Sequence, residues 1–224
     1  MQDRLRNAAL FSALDDDAAA ALRASMVELR LTKGDVLFSE GEPGEKLFLI
    51  ESGKIKLGHT ASDGRESIIA VLGAGEMLGE LSLFDPGPRT ATAVAVTHTK
   101  VLSMSHEALL PWLVGRPDLA VALLAALARR LRRTNEALAD LVFSDVPGRV
   151  AKALLELGSK FGESTPNGLV VNHELTQEEL AQLVGASRET VNKALADFSQ
   201  RGWITIEQRS VTLLDVDRLE RRAR

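Results

Sequence analysis

The chain has 224 residues, of which 45% are hydrophobic and 26% are charged, and its formal net charge is −4. This is the composition of a globular protein with one large domain or two modest ones, so it excludes disorder, and the small net charge gives no bulk electrostatic reason to bind nucleic acid or a membrane. No cysteine occurs, which excludes disulfides, thiolate-bound metals and cysteine nucleophiles.

The N-terminal segment MQDRLRNAALFSALDDD carries too many charges for a signal peptide. No apolar stretch in the chain approaches the roughly 18 residues that cross a membrane. We therefore expect a soluble, cytoplasmic protein with no membrane partner.

The first predicted element is a helix over residues 4–26, with Ser12 or Asp15 as its cap. Apolar side chains recur there at helical spacing, which is the signal for an amphipathic helix. These apolar residues are Leu5, Leu10, Phe11, Leu14, Leu22 and Met26.

Residues 27–104 are predicted to form a small all-β domain. Short apolar runs are cut by glycines and polar pairs at near-regular intervals, a pattern typical of a β-roll or jelly-roll-like unit. Strands are expected near residues 27–31, 35–38, 47–50, 54–59, 67–72, 92–96 and 99–104. Glycines stand where the intervening turns need a positive φ. They are found at positions 34, 41, 44, 53, 64, 73 and 75.

A long helix is predicted over residues 118–143, which contain neither glycine nor proline and begin at an aspartate cap. Its leucines keep coiled-coil spacing if Thr134 fills one position of the seam, and arginines at 129, 130, 132 and 133 make the surface polar. Such a narrow seam favours a partner helix, so we expect a homodimer; packing onto the chain's own β domain is the alternative. The seam consists of Leu124, Leu127, Leu131, Leu138 and Leu141.

A domain boundary is expected near Ser144, where a hinge leads into a helix capped by Asp145, with Pro147 in its first turn. After that helix come a loop, a short strand, two helices and the hairpin WITIEQRSVTLLD. This order is typical of a winged helix-turn-helix. The predicted loop covers residues 162–168 and the strand residues 169–172; the three predicted regions are 1–117, 118–144 and 145–224.

The stretch LTQEELAQLVGASRETVNKALADF carries the most specific pattern in the chain. Thr176 and Glu179 predict a capping box, Gly185 permits a sharp turn, and Ser187 caps the next helix. Four polar residues should project outward from that second helix, as a recognition helix presents side chains to base edges. The alternative is a helical hairpin with a charged surface. The outward residues are Arg188, Glu189, Asn192 and Lys193.

Residues 79–93, GELSLFDPGPRTATA, carry the carboxylate of Glu80 and the guanidinium of Arg89 among apolar and small residues. Charged groups in such surroundings are costly unless they are paired or bound to something. A dry ion pair gains little over apolar packing. The pattern therefore favours a bound ligand, with a ligand-free Glu80–Arg89 pair as the alternative.

Three motifs in this order resemble those of the bacterial cyclic-AMP receptor protein (CRP/FNR) family of transcription regulators, over essentially the full length. GEPGEKLFLIESGKIKL is similar to the family's β-roll signature, GELSLFDPGPRTATA to its phosphate-binding cassette, and GASRETVNKAL to its recognition helix. The resemblance implies an α+β fold. It comprises an N-terminal β-roll (a jelly-roll-like cyclic-nucleotide-binding domain), a long central dimerisation helix and a C-terminal winged helix-turn-helix.

The resemblance implies cyclic AMP as an allosteric ligand, with cyclic GMP as an alternative. Gly79 would let the backbone approach, and Glu80 would accept a hydrogen bond from the ribose 2′-hydroxyl. Arg89 would pair with the phosphate, to which Thr90 adds a hydroxyl donor.

The remaining ligand contacts implied by the resemblance come from the cassette backbone and the central helix. Leu81 and Ser82 would contribute backbone contacts. Thr134 would meet the adenine amino group, and Asn135 of the partner subunit would reach the purine edge. Asn135 replaces a serine of the best-known family member, which leaves guanine as an alternative.

The resemblance also implies a TGTGA-like half-site repeated as an inverted palindrome. Lys193 stands where the best-known member has arginine, and lysine reaches guanine without a bidentate fork. Residues 145–224 hold 11 basic and 12 acidic side chains, so we expect modest nonspecific affinity and dependence on two-site binding. The expected DNA-contacting residues are Thr176, Gln177, Ser187, Arg188, Glu189, Thr190 and Lys193.

We therefore expect a cyclic-AMP-responsive regulator that binds specific DNA sequences as a homodimer, with double-stranded DNA and RNA polymerase as partners. One alternative is a constitutive DNA-binding regulator whose ligand site is vestigial or takes a different small molecule. Another is a signalling module that binds a nucleotide and a protein. No catalytic set converges by spacing and the four histidines are scattered, so neither an enzyme nor a metal site is expected.

Overall fold

A computed structural model describes residues 8 and 10–223. Within the described part of the predicted N-terminal helix, α1 spans only Asp16–Ala24, and residues 10–14 form turns. The helix begins there because the carboxylate of Asp15 accepts a hydrogen bond from the N–H of Ala18 at 2.8 Å. Leu5 of the predicted helix lies outside the described residues.

Strands β1 to β8 follow and build the predicted β-roll, with a core between two antiparallel sheets. Phe38, Ile50 and Ile55 of that core are buried together. The sheet orders are β1-β8-β3-β6 and β2-β7-β4-β5. The strands are β1 (Val27–Leu31), β2 (Val36–Phe38), β3 (Lys46–Ser52), β4 (Lys54–Thr60), β5 (Glu66–Gly73), β6 (Met77–Leu78), β7 (Thr92–Ala95) and β8 (Thr99–Ser105).

The chain between β5 and β7 holds two elements that were absent from the strand prediction. They are β6 and the short helix α2 (Leu81–Phe84), which lies within the cassette. Two of the seven turn predictions for glycine are wrong, since neither Gly44 nor Gly73 has a positive φ. Gly44 is required for space instead, because a Cβ there would overlap the side chain of Ser82.

Two helices follow the β-roll: α3 (His106–Gly115) and α4 (Pro117–Phe143). The long helix begins one residue earlier than predicted, so Asp118 lies in its first turn and is not its cap; proline is well suited to a first helical position. Leu119 and Leu123 are buried in the core that packs against β3 and β8. Farther along, the seam leucines are largely exposed: Leu124 by 65%, Leu131 by 61% and Leu138 by 62%.

Among the described residues, no single helix is both long and apolar enough to cross a membrane, and only α3 and α4 together pass that test, across a bend of 116°. By its contacts the chain divides into two compact units. One comprises residues up to 59 together with 70–133, and the other comprises 60–69 together with 134 onward. The division therefore falls within α4, immediately before Thr134.

The C-terminal part forms the predicted winged helix-turn-helix, with a sheet ordered β11-β12-β10-β9. The predicted loop at 162–168 is instead mostly a strand and a tight turn, closed by a hydrogen bond from the Thr165 hydroxyl to the carbonyl of Gly168. Helix α8 was not predicted. The elements are α5 (Val146–Phe161), β9 (Gly162–Thr165), β10 (Gly168–Val171), α6 (Gln177–Val184), α7 (Arg188–Gln200), β11 (Ile204–Ile206), β12 (Val211–Leu213) and α8 (Val216–Arg222).

Asp145 joins the start of α5 to the last helix of the chain. One carboxylate oxygen accepts from the N–H of Gly148 at 2.9 Å, and the other accepts from Arg222 of α8 at 2.6 Å. The hydrogen bond from Arg222, and then that from Gly148, lower the pKa of Asp145 below its ordinary value of 3.8. The charged carboxylate therefore stabilises the folded state.

We expect Asp145→Ala to lower the free energy of unfolding by about 1 kcal/mol at neutral pH, because a helix cap is lost. Asp145→Asn should lower the free energy of unfolding by only about a few tenths of a kcal/mol, since asparagine still caps the helix and the exposed ion pair contributes little. A lowered pKa stabilises the fold above the unfolded value of 3.8 and loses that effect as the pH falls through the folded value. Calorimetric unfolding of the wild type and of Asp145→Ala at pH 7 and pH 3 checks this. A stability difference between the two proteins that is equal at both pH values would contradict the prediction.

Candidate ligand site and nucleic-acid interface

The guanidinium of Arg89 is buried, with 6% of the residue exposed. Its Nη1 donates to the carbonyl of Gly79 at 3.0 Å, and its Nη2 donates to the carbonyl of Lys46 at 2.8 Å. Its carbon Cζ lies 4.4 Å from the centre of the Phe38 ring, within range of a cation–π contact. Two carbonyls and an aromatic face therefore fix the group in one orientation.

The loop between β2 and β3 fastens the backbone around Arg89. The N–H of Gly41 donates to the carbonyl of Arg89 at 2.9 Å, and the N–H of Arg89 donates to the carbonyl of Glu42 at 2.8 Å. Gly44 of the same loop lies directly against Ser82 of α2. The loop GEPGEK thus contacts the cassette at Ser82 and at Arg89. The loop is therefore part of the site.

Glu80 is also buried, with 3% exposed, and its Oε1 accepts from Nη1 of Arg130 on α4 at 2.5 Å. Glu80 immediately precedes α2, but its carboxylate makes no capping hydrogen bond there. Among the described residues, Arg130 is the ion-pair partner of Glu80, and Arg89 is not. The ligand-free Glu80–Arg89 pair, which was the alternative to a ligand, does not form.

Two buried atoms at this site lack a hydrogen-bond partner among the described residues: Oε2 of Glu80 and Nε of Arg89. One is an acceptor that needs a donor, and the other is a donor that needs an acceptor. Buried polar atoms are nearly always satisfied, so each of these calls for an explanation. A hydroxyl would satisfy Glu80 and an anionic oxygen would satisfy Arg89; a cyclic nucleotide carries both, so the residues present fit it.

Burial lowers the pKa of Arg89, while the negative charges of Glu80 and Glu42 oppose that shift. The guanidinium nevertheless stays charged at neutral pH, because an arginine pKa lies far above that range. A buried cation with one free donor is suited to a small anion. Helix α2 spans only four residues, so its dipole is weak, and the full positive charges beside Glu80 are those of Arg89 and Arg130.

The other predicted ligand residues are placed as follows. Gly79 has φ +80°, and a Cβ there would lie 2.8 Å from the carbonyl oxygen of Lys46. Ser82 is buried, while Leu81 is half exposed and Thr90 is exposed. The two central-helix residues, Thr134 and Asn135, are both exposed on α4, and their roles stay predictions.

Sequence reasoning missed Arg130, which it counted only among the arginines that make α4 polar. A signal was available, since Arg130 precedes Thr134 by four residues and so shares its helix face. Nearby, Nη1 of Arg133 lies 3.9 Å from Oε1 of Glu76. Within the described part of the chain, no cluster of three or more histidine or carboxylate side chains is placed to hold a metal ion.

The helix-turn-helix is built as predicted. The N–H of Thr176 donates to Glu179 at 2.7 Å, and the N–H of Glu179 donates to the Thr176 hydroxyl at 3.1 Å, which completes the capping box. Gly185 ends α6 with φ +69°. Arg149 of α5 holds this turn from behind by donating to the carbonyls of Val184 and Gly185.

Helix α7 buries an apolar face that includes Val191 and Phe198, and it presents polar residues to solvent. Lys193 and Glu189 form an ion pair at 2.7 Å, with 75% and 78% of their side chains exposed. Such a pair is weak and can exchange for base contacts. All of the predicted DNA-contacting residues are exposed: Thr176, Gln177, Ser187, Arg188, Glu189, Thr190 and Lys193.

The expectation for Asn192 is wrong, because its side chain does not project freely outward. It is half-buried, and its Nδ2 donates to Oε1 of Gln177 on α6 at 3.2 Å. The residue therefore connects the two helices of the motif.

A β-roll in which a buried glutamate and a buried arginine each keep one unsatisfied polar atom, followed by a winged helix-turn-helix, is the architecture of a DNA-binding regulator with a ligand domain. Residues 28–114 match the cyclic nucleotide-binding domain, and residues 148–222 match the Crp-like helix-turn-helix domain. The chain belongs to the CRP/FNR family, whose members are transcription regulators and not enzymes.

Known relatives cover the whole chain. It is 53% identical over 224 residues, the full length of both proteins, to the CRP-like cAMP-activated global transcriptional regulator of Mycobacterium tuberculosis. It is 39% identical over 188 residues, 82% of this chain and 84% of the relative, to the cyclic AMP receptor protein of Thermus thermophilus. The structure of a c-di-GMP responsive global regulator from Xanthomonas campestris aligns with a TM-score of 0.77 and 26% identity, over 89% of this chain and 99% of that one. The family and fold class predicted from the motifs are confirmed.

Proposed function

We propose that the chain is a cyclic-AMP-responsive regulator that acts as a homodimer on inverted TGTGA-like half-sites. The observation that supports the ligand most directly is the pair of partnerless buried atoms, Oε2 of Glu80 and Nε of Arg89. Cyclic AMP offers a ribose 2′-hydroxyl to the first and a phosphate oxygen to the second. The names of the relatives from M. tuberculosis and T. thermophilus support the same nucleotide.

In this proposal the base of the nucleotide is read from the central helix. Thr134 accepts from the adenine amino group, and Asn135 of the partner subunit binds the purine edge. The ligand then favours the arrangement in which two recognition helices lie one DNA turn apart, near 34 Å. The protein works in the cytoplasm, with RNA polymerase as a further partner.

Calorimetric titration of the full chain with cyclic AMP, cyclic GMP and c-di-GMP tests the ligand. We expect cyclic AMP to bind with one site per chain and the other two to bind more weakly. Tighter binding of cyclic GMP would overturn the assignment of the base, and tighter binding of c-di-GMP would overturn the ligand class. No binding by any of the three would favour a constitutive regulator.

The constitutive alternative has one structural observation in its favour. Arg130 already neutralises one oxygen of Glu80, so the carboxylate has a partner before any ligand arrives. Anisotropy titrations of a labelled duplex with and without cyclic AMP distinguish the two functions. A ligand-independent affinity would support the alternative.

Homodimerisation is supported by the exposed seam of α4. Leu124, Leu131 and Leu138 recur every seven residues and are each more than 60% exposed. Three exposed leucines in one line on a polar helix favour a partner helix in coiled-coil contact.

We expect Leu131→Asp to convert a dimer into a monomer, because a charge would be buried in the seam without a partner. Sedimentation velocity reports the change as a halved mass. Val114→Asp on α3 is a matched control, since Val114 is 75% exposed and off the seam, and it should stay dimeric. A Leu131→Asp dimer as stable as the wild type would remove this interface.

The DNA half of the proposal rests on the exposed polar face of α7 and on the near-neutral C-terminal domain. With 11 basic and 12 acidic residues in 145–224, nonspecific attraction is small and two half-sites must act together. A gel shift on a palindromic TGTGA duplex and on a scrambled duplex tests this. Equal retention of both would favour a signalling module over a sequence-specific regulator.

A further inference from the structure

The helix-turn-helix contains an amide–amide contact between its two helices. Nδ2 of Asn192, in the second turn of α7, donates to Oε1 of Gln177, the first residue of α6, at 3.2 Å. Asn192 is half-buried and Gln177 is exposed. The oxygen of the Gln177 amide is thus engaged inside the motif, and its NH2 group is the end left for an outside partner.

The backbone of Gln177 is already fixed. It follows Thr176, whose capping box with Glu179 locks the first turn of α6 through hydrogen bonds of 2.7 and 3.1 Å. The orientation of the Gln177 amide is therefore the variable that remains. An amide has an acceptor end and a donor end of nearly the same shape, and only the donor end attracts a phosphate.

We propose that Asn192 is a positioning residue that turns the NH2 end of Gln177 toward a DNA phosphate. The inference rests on the proposed role of Gln177 as a DNA-contacting residue, assigns that contact to a phosphate of the DNA backbone, and adds the residue that orients it. Asn192 itself contacts no base in this arrangement, because its side chain lies between α6 and α7 and is hydrogen-bonded to Gln177.

The partner atoms support this orientation over the reverse one. Oδ1 of Asn192 is buried without a partner among the described residues, so the present arrangement leaves one orphaned acceptor. Reversing both amides would instead leave two N–H donors of Asn192 buried without an acceptor, and it would present the Gln177 oxygen to the phosphate. Both changes are unfavourable.

The test is a double-mutant cycle on full-length protein with cyclic AMP, measured by anisotropy on the palindromic and scrambled duplexes. We expect Asn192→Ala to weaken both by a similar factor, about three- to tenfold, because a phosphate contact carries no sequence information. In a Gln177→Ala background, Asn192→Ala should cause no further loss. A full additional loss in that background would overturn the inference.

Asn192→Asp sharpens the result. A carboxylate can only accept, so it would draw the Gln177 NH2 inward and turn the oxygen outward. We expect Asn192→Asp to lower the DNA affinity more than Asn192→Ala does. In the Gln177→Ala background, the difference between these two variants should shrink to the electrostatic repulsion that the added carboxylate causes. An Asn192→Asp affinity equal to that of Asn192→Ala would contradict the orienting role.

The remaining outcomes separate this inference from the proposed function. If Asn192→Ala changes the preference for the palindrome, Asn192 reads bases itself and the inference is wrong. If Gln177→Ala has no effect while Arg188→Ala abolishes specific binding, the inference fails and the DNA-binding function stands. If Arg188→Ala has no effect either, the proposed recognition helix fails. Thermal melts show whether each variant is folded. If Asn192→Ala fails to fold, Gln177→Ala still removes the amide–amide contact, because Gln177 is exposed and its loss leaves the core intact.

Discussion

Arg89→Ala is expected to abolish measurable cyclic-nucleotide binding, with a dissociation constant raised by about two orders of magnitude or more. Removing one partner of a buried, hydrogen-bonded charge pair costs about 2–5 kcal/mol, and the nucleotide phosphate would lose its buried cation. The substitution also leaves the carbonyls of Gly79 and Lys46 without their donor. We therefore expect a lower melting temperature as well.

Calorimetry with cyclic AMP measures the binding, and two further variants make it specific. Arg129→Ala removes an exposed arginine of α4 and should bind like the wild type. Arg89→Lys keeps the charge but has no planar fork to reach two carbonyls and a phosphate, so it should bind with intermediate affinity. If Arg89→Ala binds cyclic AMP with wild-type affinity, the assignment of the ligand site to this part of the chain is wrong.

Gly79→Ala is expected to have an equally large effect on the ligand, for a steric reason. Its φ is +80°, and a Cβ would lie 2.5 Å from Nη1 of Arg89 and 2.8 Å from the carbonyl oxygen of Lys46. The main chain cannot yield cheaply, so the guanidinium must leave its position. Binding of cyclic AMP should then fall by about as much as in Arg89→Ala.

Gly64→Ala is the matched control for this substitution. Gly64 has φ +82° and nothing within 4 Å of an added Cβ. Both alanines adopt the left-handed region at a cost of about 1–2 kcal/mol in stability, but only Gly79→Ala also meets Arg89. Normal ligand binding by Gly79→Ala, measured beside Gly64→Ala, would mean that Arg89 is not held as described.

The features that sequence predicted well are those with local causes. The strand at 27–31 came directly from apolar runs bounded by turn residues, and the capping box of Thr176 and Glu179 from a spacing of three. Both signals lie within one segment of the chain, so no knowledge of distant contacts is needed. The residues Glu80 and Arg89 were also singled out locally, as two ionised groups among apolar neighbours, and both are buried.

The features that it missed depend on contacts between distant segments. Arg130 meets Glu80 across 50 positions of sequence, and only its spacing of four residues from Thr134 distinguishes it locally from Arg129. Lys46 contributes a main-chain carbonyl, which every residue type has. Gly44 was interpreted as a turn residue, but its role is to leave room for Ser82.

Asn192 shows the same limit on the recognition helix. Its position in the second turn predicted an outward side chain, and only the approach of Gln177 on α6 draws it inward. Helical periodicity assigns a face, and the neighbouring helix decides what that face meets.

Helix α8 is part of the folding unit of the C-terminal domain. Leu219 is fully buried, and Arg222 holds the cap of α5. A nonsense codon just after Asp215 would remove α8 and expose the core of the winged helix-turn-helix domain. It would also remove the hydrogen bond from Arg222 to the capping carboxylate of Asp145. Truncations that remove α8 should therefore behave as null alleles.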